Sequence, residues 1–141
     1  MAEVQGFQLP DELWYHKEHM WARIEDDIAT VGVTDFYQRL AGEISYIELP
    51  SVGDDIGIDD VVGTVETGKW IGKIYAPMTG SVESINSEVE DEPNLPNTDP
   101  YGKGWLYKIR ISDSSEKDNL FKGDSAITWQ TEQIAKHLKQ M

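Results

Sequence analysis

Apolar and polar residues alternate in short runs over the first three quarters of the chain, and Gly, Pro or acidic residues close each run. Residues 20–24 and 28–33 read as two strands joined by the acidic turn Glu25-Asp26-Asp27. Thr34 then suits a helix N-cap, with a short helix over 36–40 that Gly42 stops. Residues 43–49 alternate and end at Pro50, and further strands are predicted over 61–67, 71–76, 80–85 and 105–111. In the last of these Trp105, Tyr107, Ile109 and Ile111 alternate against Lys108 and Arg110.

The pattern changes at the end of the chain. From 125 to 140, Ile127, Ile134, Ala135 and Leu138 have loose helical spacing, and Lys136, His137 and Lys139 suit the carbonyl end of a helix. Many short strands with Gly and Pro punctuation predict a mainly β fold, a small sandwich or flattened barrel of two antiparallel sheets with short helices and a C-terminal helix. Residues 1–141 read as a single domain, with a β core over about 20–112 and a helical extension over about 116–140.

Composition narrows the chemistry. The 141 residues include no cysteine, so thiolate nucleophiles, thiolate metal sites and disulfides are excluded. Sulfur chemistry here requires an attached group. No apolar run approaches the ~20 residues of a membrane span, and the first residues lack a basic and apolar leader, so a cytoplasmic protein with no membrane association is expected. The net charge of −14 disfavours nucleic acid as a partner. The charge is uneven: residues 40–68 hold seven acids and no base, and residues 83–99 hold six acids and no base. Such faces keep a protein in solution, and they also steer it toward basic partner surfaces.

One stretch combines these features around a lysine: Val65-Glu66-Thr67-Gly68-Lys69-Trp70-Ile71-Gly72-Lys73-Ile74-Tyr75-Ala76-Pro77-Met78-Thr79-Gly80. Two strand-like runs flank Lys69, and Gly68 beside it permits the positive φ of a tight hairpin. A lysine at such a tip projects into solvent. No G-x-S-x-G elbow or phosphate-binding loop accompanies it, and His16 and His19 without cysteine make a weak zinc pattern, so neither an enzyme nor a metal site is expected.

Beyond this stretch, Tyr15-His16-Lys17-Glu18-His19-Met20-Trp21, Gly42-Glu43-Ile44-Ser45-Tyr46-Ile47-Glu48-Leu49-Pro50 and Asp99-Pro100-Tyr101-Gly102-Lys103-Gly104-Trp105-Leu106 occur in an order and spacing that resemble the H protein of the glycine cleavage system, a lipoyl carrier. The resemblance runs from about Leu13 to Ile111. It implies a lipoyl-domain-like fold, lipoate in amide linkage to Lys69 (three residues after Glu66 and eleven before Gly80), and a non-catalytic carrier, taken as a monomer. It also implies a lipoate ligase or lipoyl transferase as partner. The dithiolane at the end of the arm would supply the missing sulfur and link separate active sites by tethering.

Two positions depart from the family's pattern. Where it has acids that shelter an aminomethyl cation, this chain has Met20 and Lys73, and Trp70 replaces the small residue after the modified lysine. Two like charges ~4 Å apart cost on the order of 1–4 kcal/mol, so Lys73 points to an anionic or sulfur-bearing load. The sequence therefore resembles most the lipoate-binding proteins of heterodisulfide-reductase-like sulfur oxidation, with that complex as partner. A glycine cleavage carrier working with the glycine cleavage enzymes, and an unmodified interaction module of the same fold, are the alternatives.

Overall fold

The computed structural model describes residues 2–139. A hairpin of β1 (Ala2–Val4) and β2 (Phe7–Leu9) comes first. A meander of β3 (Trp14–His16), β4 (Met20–Glu25) and β5 (Ile28–Val33) leads into helix α1 (Asp35–Ala41). Next come β6 (Ile44–Glu48), β7 (Asp55–Ile56), β8 (Val61–Thr67), β9 (Ile71–Tyr75) and β10 (Gly80–Ile85). Two single-turn helices, α2 (Glu88–Asp91) and α3 (Leu95–Thr98), precede β11 (Tyr107–Ile111), a 3-10 turn (Ser114–Asn119) and the long helix α4 (Asp124–Lys139). No helix among the described residues is long and apolar enough to cross a membrane.

The strands form an antiparallel six-stranded sheet in the order β3-β4-β5-β11-β10-β7 and a three-stranded sheet in the order β6-β8-β9. Val31, Val82 and Ile109 from the first sheet and Ile44, Ile47, Val65 and Ile74 from the second bury their side chains in one shared core. Burying each such side chain contributes roughly 1.5–3 kcal/mol, which is why the two sheets stack. The fold is thus mainly β with short helices and a C-terminal helix, as the alternation predicts, and the N-terminal hairpin adds a third, two-stranded sheet that the pattern does not reveal.

Two departures from simple periodicity matter. Strand β6 pairs with β8 as Ile44↔Thr67 and then Tyr46↔Glu66, so Ser45 is an extra, bulged residue. Strict alternation would place Tyr46 on the face of Ile44; the bulge turns Tyr46 outward, 50% exposed, while Ile44 and Ile47 are both buried. In α4 the buried stripe is Ala126, Trp129, Gln130 and Ile134. Ile127 and Ala135, expected inside, face outward, because Trp129 packs against Phe121, Tyr15 and His19 and sets the helix rotation. Gln140 lies outside the described residues, as does the side chain of Leu138.

A second apolar cluster fills the space between the N-terminal hairpin, α1 and α4, with Val4, Leu9, Trp21, Phe36, Trp129 and Ile134 among its members. Polar groups pin it together. The hydroxyl of Tyr101 donates to the Gln8 carbonyl at 2.7 Å and accepts from the Asp35 N–H at 2.8 Å. The buried Asp35 carboxylate accepts from the Gln8 N–H (2.9 Å), Gln38 Nε2 (2.7 Å) and Arg39 Nε (3.1 Å). At its other end α1 is capped by Gly42, whose φ of +82° favours a residue without Cβ.

Asp35→Ala removes the buried acceptor shared by the Gln8 N–H, Gln38 and Arg39 and is expected to lower unfolding stability by about 1–3 kcal/mol. Arg39→Ala, at the half-exposed end of the same pair, should cost less than about 1 kcal/mol. Urea denaturation of both variants measures the difference.

Candidate functional site

Lys69 sits at the tip of the β8–β9 hairpin, exposed to solvent. The turn is not the one that Gly68 suggests. Neither Gly68 nor Lys69 takes a positive φ. The Thr67 hydroxyl shapes the turn instead: it accepts from the N–H groups of Lys69 (3.1 Å) and Trp70 (3.2 Å) and lies 3.3 Å from the Trp70 carbonyl. A side chain that substitutes for backbone partners in this way needs no left-handed residue. A Cβ on Gly68 would meet nothing within 4 Å, so the backbone before Lys69 is open to anything that approaches.

The hairpin lies over the end of α1, with a groove on each side. On one side the aliphatic part of Lys69 rests on Gly42, where an added Cβ would come within 3.1 Å of Lys69 Cε. That groove is lined by Gly42, Glu43, Ser45 and Gly68 together with the lysine. On the other side is a cleft of about 340 Å³ walled by Glu18, His19, Tyr37, Leu40, Trp70 and Lys73, among others. Trp70 meets Tyr37 edge to face at 5.7 Å, and the Tyr37 hydroxyl donates to the Lys73 carbonyl at 3.2 Å. Gly72 makes room for this arrangement, since a Cβ there would lie 1.8 Å from the Trp70 ring.

The opposite wall comes from the β3–β4 turn. The Glu18 N–H donates to His16 Nδ1 at 3.1 Å, which leaves His16 Nε2 to donate to Asp59 at 2.5 Å. His16 thus fixes the turn and is committed to Asp59; among the described residues no three acidic or histidine side chains converge on a metal site. Donation from His16 holds the Asp59 carboxyl below its ordinary range. His19 has a left-handed φ of 68° and lies between Phe36 and Trp129, 5.0 Å from each ring. Burial lowers its pKa to about 4.

The residues singled out from sequence are only partly brought together. Lys69, Trp70 and Lys73 share the hairpin, with Trp70 and Lys73 on the cleft wall. Glu66 lies in the outer face of β8, between Tyr46 and Ile71. Met20 is not part of the cleft: it is fully buried in the main core, paired with Val33 and His16, because its strand turns that face inward. Gly80 lies in the other sheet, where a Cβ would strike the Arg110 carbonyl at 2.1 Å, so its role is close strand packing. Glu18, Thr67, Tyr37 and Gly72 were missed. For Gly72 the signal was present, since two residues after Trp70 places it on the same strand face.

Gly72→Ala is expected to push the Trp70 ring out of the cleft, seen as a red shift in tryptophan emission and greater quenching by acrylamide. His19 generates a pH dependence. Between its unfolded pKa of 6.5 and its folded value of about 4, only the unfolded chain holds the proton, so stability falls as pH drops through that window. The loss is at most roughly 3 kcal/mol, and His19→Asn, which tolerates the left-handed φ, should flatten this part of the profile in thermal melts.

Comparison with known proteins agrees with this layout. The family model described as glycine cleavage H-protein matches residues 13–133. The glycine cleavage system H protein of Psychrobacter sp. (strain PRwf-1) is 45% identical over 117 residues, covering 82% of this chain and 93% of its own. That of Carboxydothermus hydrogenoformans is 46% identical over 112 residues, covering 79% and 86%. The crystal structure of a glycine cleavage system H protein from Mycobacterium marinum matches with a TM-score of 0.72 at 28% identity, over 79% of this chain and 97% of that one. The chain therefore belongs to the glycine cleavage H-protein family, whose members carry lipoate covalently on a lysine and do no catalysis of their own.

Proposed function

We propose that Lys69 carries lipoate in amide linkage and that this chain serves as the lipoyl carrier of a glycine cleavage system. The residues fit such a group: the amine is exposed, the backbone beside it is open, and the adjoining cleft has the aromatic walls that an apolar arm would line. When attached, lipoate supplies a dithiol that takes up a reaction intermediate and hands it on. The chain's own residues position and shelter it. Thr67 holds the turn, Tyr37 and Trp70 exclude water from one side, and Glu18 provides a carboxylate.

Glu18 is the observation that carries this reading. The acid absent at Met20 has a counterpart two residues earlier, in the cleft wall itself, where it favours a cationic aminomethyl load. The relatives' names point the same way. A second reading, a carrier of sulfur intermediates working with a heterodisulfide-reductase-like complex, draws its support from Lys73, which lines the same cleft and favours an anionic load.

Intact mass tests the attachment. Chain from a lipoate-proficient host should carry one lipoyl adduct, lost in Lys69→Arg and kept in Lys73→Arg; an adduct on Lys73 overturns the assignment. Loading with glycine, glycine decarboxylase and aminomethyltransferase tests the cargo. The wild type should load, and Lys73→Asp should load about tenfold faster, given a like-charge cost on the order of 1–4 kcal/mol. A wild type that stays unloaded under these conditions overturns the glycine reading and leaves the sulfur one.

A further inference from the structure

The outer face of the three-stranded sheet presents a row of side chains directly beneath the Lys69 hairpin. Tyr46 on β6 opposes Glu66 on β8, which opposes Ile71 on β9. Tyr46 is 50% exposed and Ile71 67% exposed, although both are large and apolar. Ile71 shares the outward face of Lys73 by simple alternation and also borders the cleft beside Trp70, whereas the exposure of Tyr46 does not follow from the strand pattern. Tyr46 is outside because Ser45 is bulged, and the Ser45 hydroxyl donates to the Glu66 carbonyl at 3.2 Å, fixing the bulge to the central strand. Bulges re-aim side chains beside working sites. Single exposed apolar residues need no explanation; two in one cross-strand row, next to an exposed reactive amine, do.

Charge defines the surroundings of the row. Glu66 stands within it, and the exposed Glu43 and Glu48 stand on the strand and approach that carry Tyr46. The base nearby in the next row is Lys73, opposite Thr64. A partner that covers this face needs an apolar centre and a basic rim.

Reach identifies which partner that is. An enzyme acting on the far end of a lipoyl arm can stand off from the sheet. The enzyme that acylates Lys69 cannot, because the amine lies only ~6 Å from its own Cα, the extended length of a lysine side chain. To bring a lipoyl carbonyl to that nitrogen, its surface must close on the strands that flank the turn. We infer that Tyr46, Glu66 and Ile71 form the docking face for the lipoate-attaching enzyme, which meets it with an apolar patch ringed by basic residues. In the step itself the neutral Lys69 amine attacks an activated lipoyl carbonyl. The amide C–N bond forms, the activating group leaves with the bonding pair, and the amine's proton passes to solvent.

This inference rests on Lys69 as the attachment site, and the test separates the two. The apo-protein, Tyr46→Ser and Lys69→Arg are each treated with a purified ATP-dependent lipoate–protein ligase, lipoate and ATP, at low and high salt. Adduct is followed by intact mass and peptide mapping. The Tyr46→Ser variant, changed at an exposed position outside the cleft, should keep the wild-type circular dichroism spectrum and melting temperature. Its kcat/KM for acylation should fall at least tenfold, chiefly through KM, and the wild-type rate should fall as salt rises. Once loaded chemically or by prolonged reaction, the Tyr46→Ser variant's lipoyl group should be reduced by dihydrolipoamide dehydrogenase at the wild-type rate. Acylation within twofold of wild type overturns the docking face alone. An equal loss in acylation and in reduction overturns the assignment of the face to the attaching enzyme. Adduct on Lys69→Arg overturns the attachment site, and the docking face with it.

Discussion

A buried carboxylate organises the half of the molecule that carries the lysine hairpin. Asp35 is almost fully enclosed, and an acid in that setting persists only when donors surround it. The donors come from two directions, the N-terminal hairpin through Gln8 and α1 itself through Gln38 and Arg39, and the Asp35 N–H in turn donates to Tyr101 in the segment before β11. These bonds fix the position and tilt of α1. The helix then becomes the platform for the hairpin, with Tyr37 against Trp70 and the Lys73 carbonyl, and Gly42 under the lysine stem. The network thus links the N-terminal strands to the geometry of a loop more than sixty residues away.

The lysine itself is held by very little, which suits the carrier role proposed for it. A carrier residue has to enter other proteins' active sites, so its own environment is built to leave it accessible. The turn is rigid because Thr67 satisfies two amides locally, and the strand leaving it is anchored by Trp70 folding back onto Gly72. The rigid parts therefore lie on either side of Lys69, while the side chain rests on a glycine that grips nothing. Both charges in the adjoining cleft, Glu18 and Lys73, come from elements anchored by neighbouring residues: the β3–β4 turn through His16 and Asp59, and β9 through Tyr37.

Local sequence determined a good deal. The alternating strands that build the two facing sheets, the Thr34 cap and Gly42 stop of α1, the lysine hairpin and the terminal helix all follow from period, capping and turn chemistry, which act over a few residues. Ordered motifs along most of the chain pointed to the family. Tertiary structure decided which side chains meet. Met20 went into the core and Glu18 took a place in the cleft because the β3–β4 turn is set by His16 and Asp59, forty-three residues apart. Tyr46 faces outward because one bulged residue shifts the phase of β6, and a pattern of period two cannot register an insertion that only the partner strand reveals. The hairpin pattern located Lys69, but pairing across the sheet and packing against α1 determined its surroundings, and those contacts depend on distances between residues far apart in the chain.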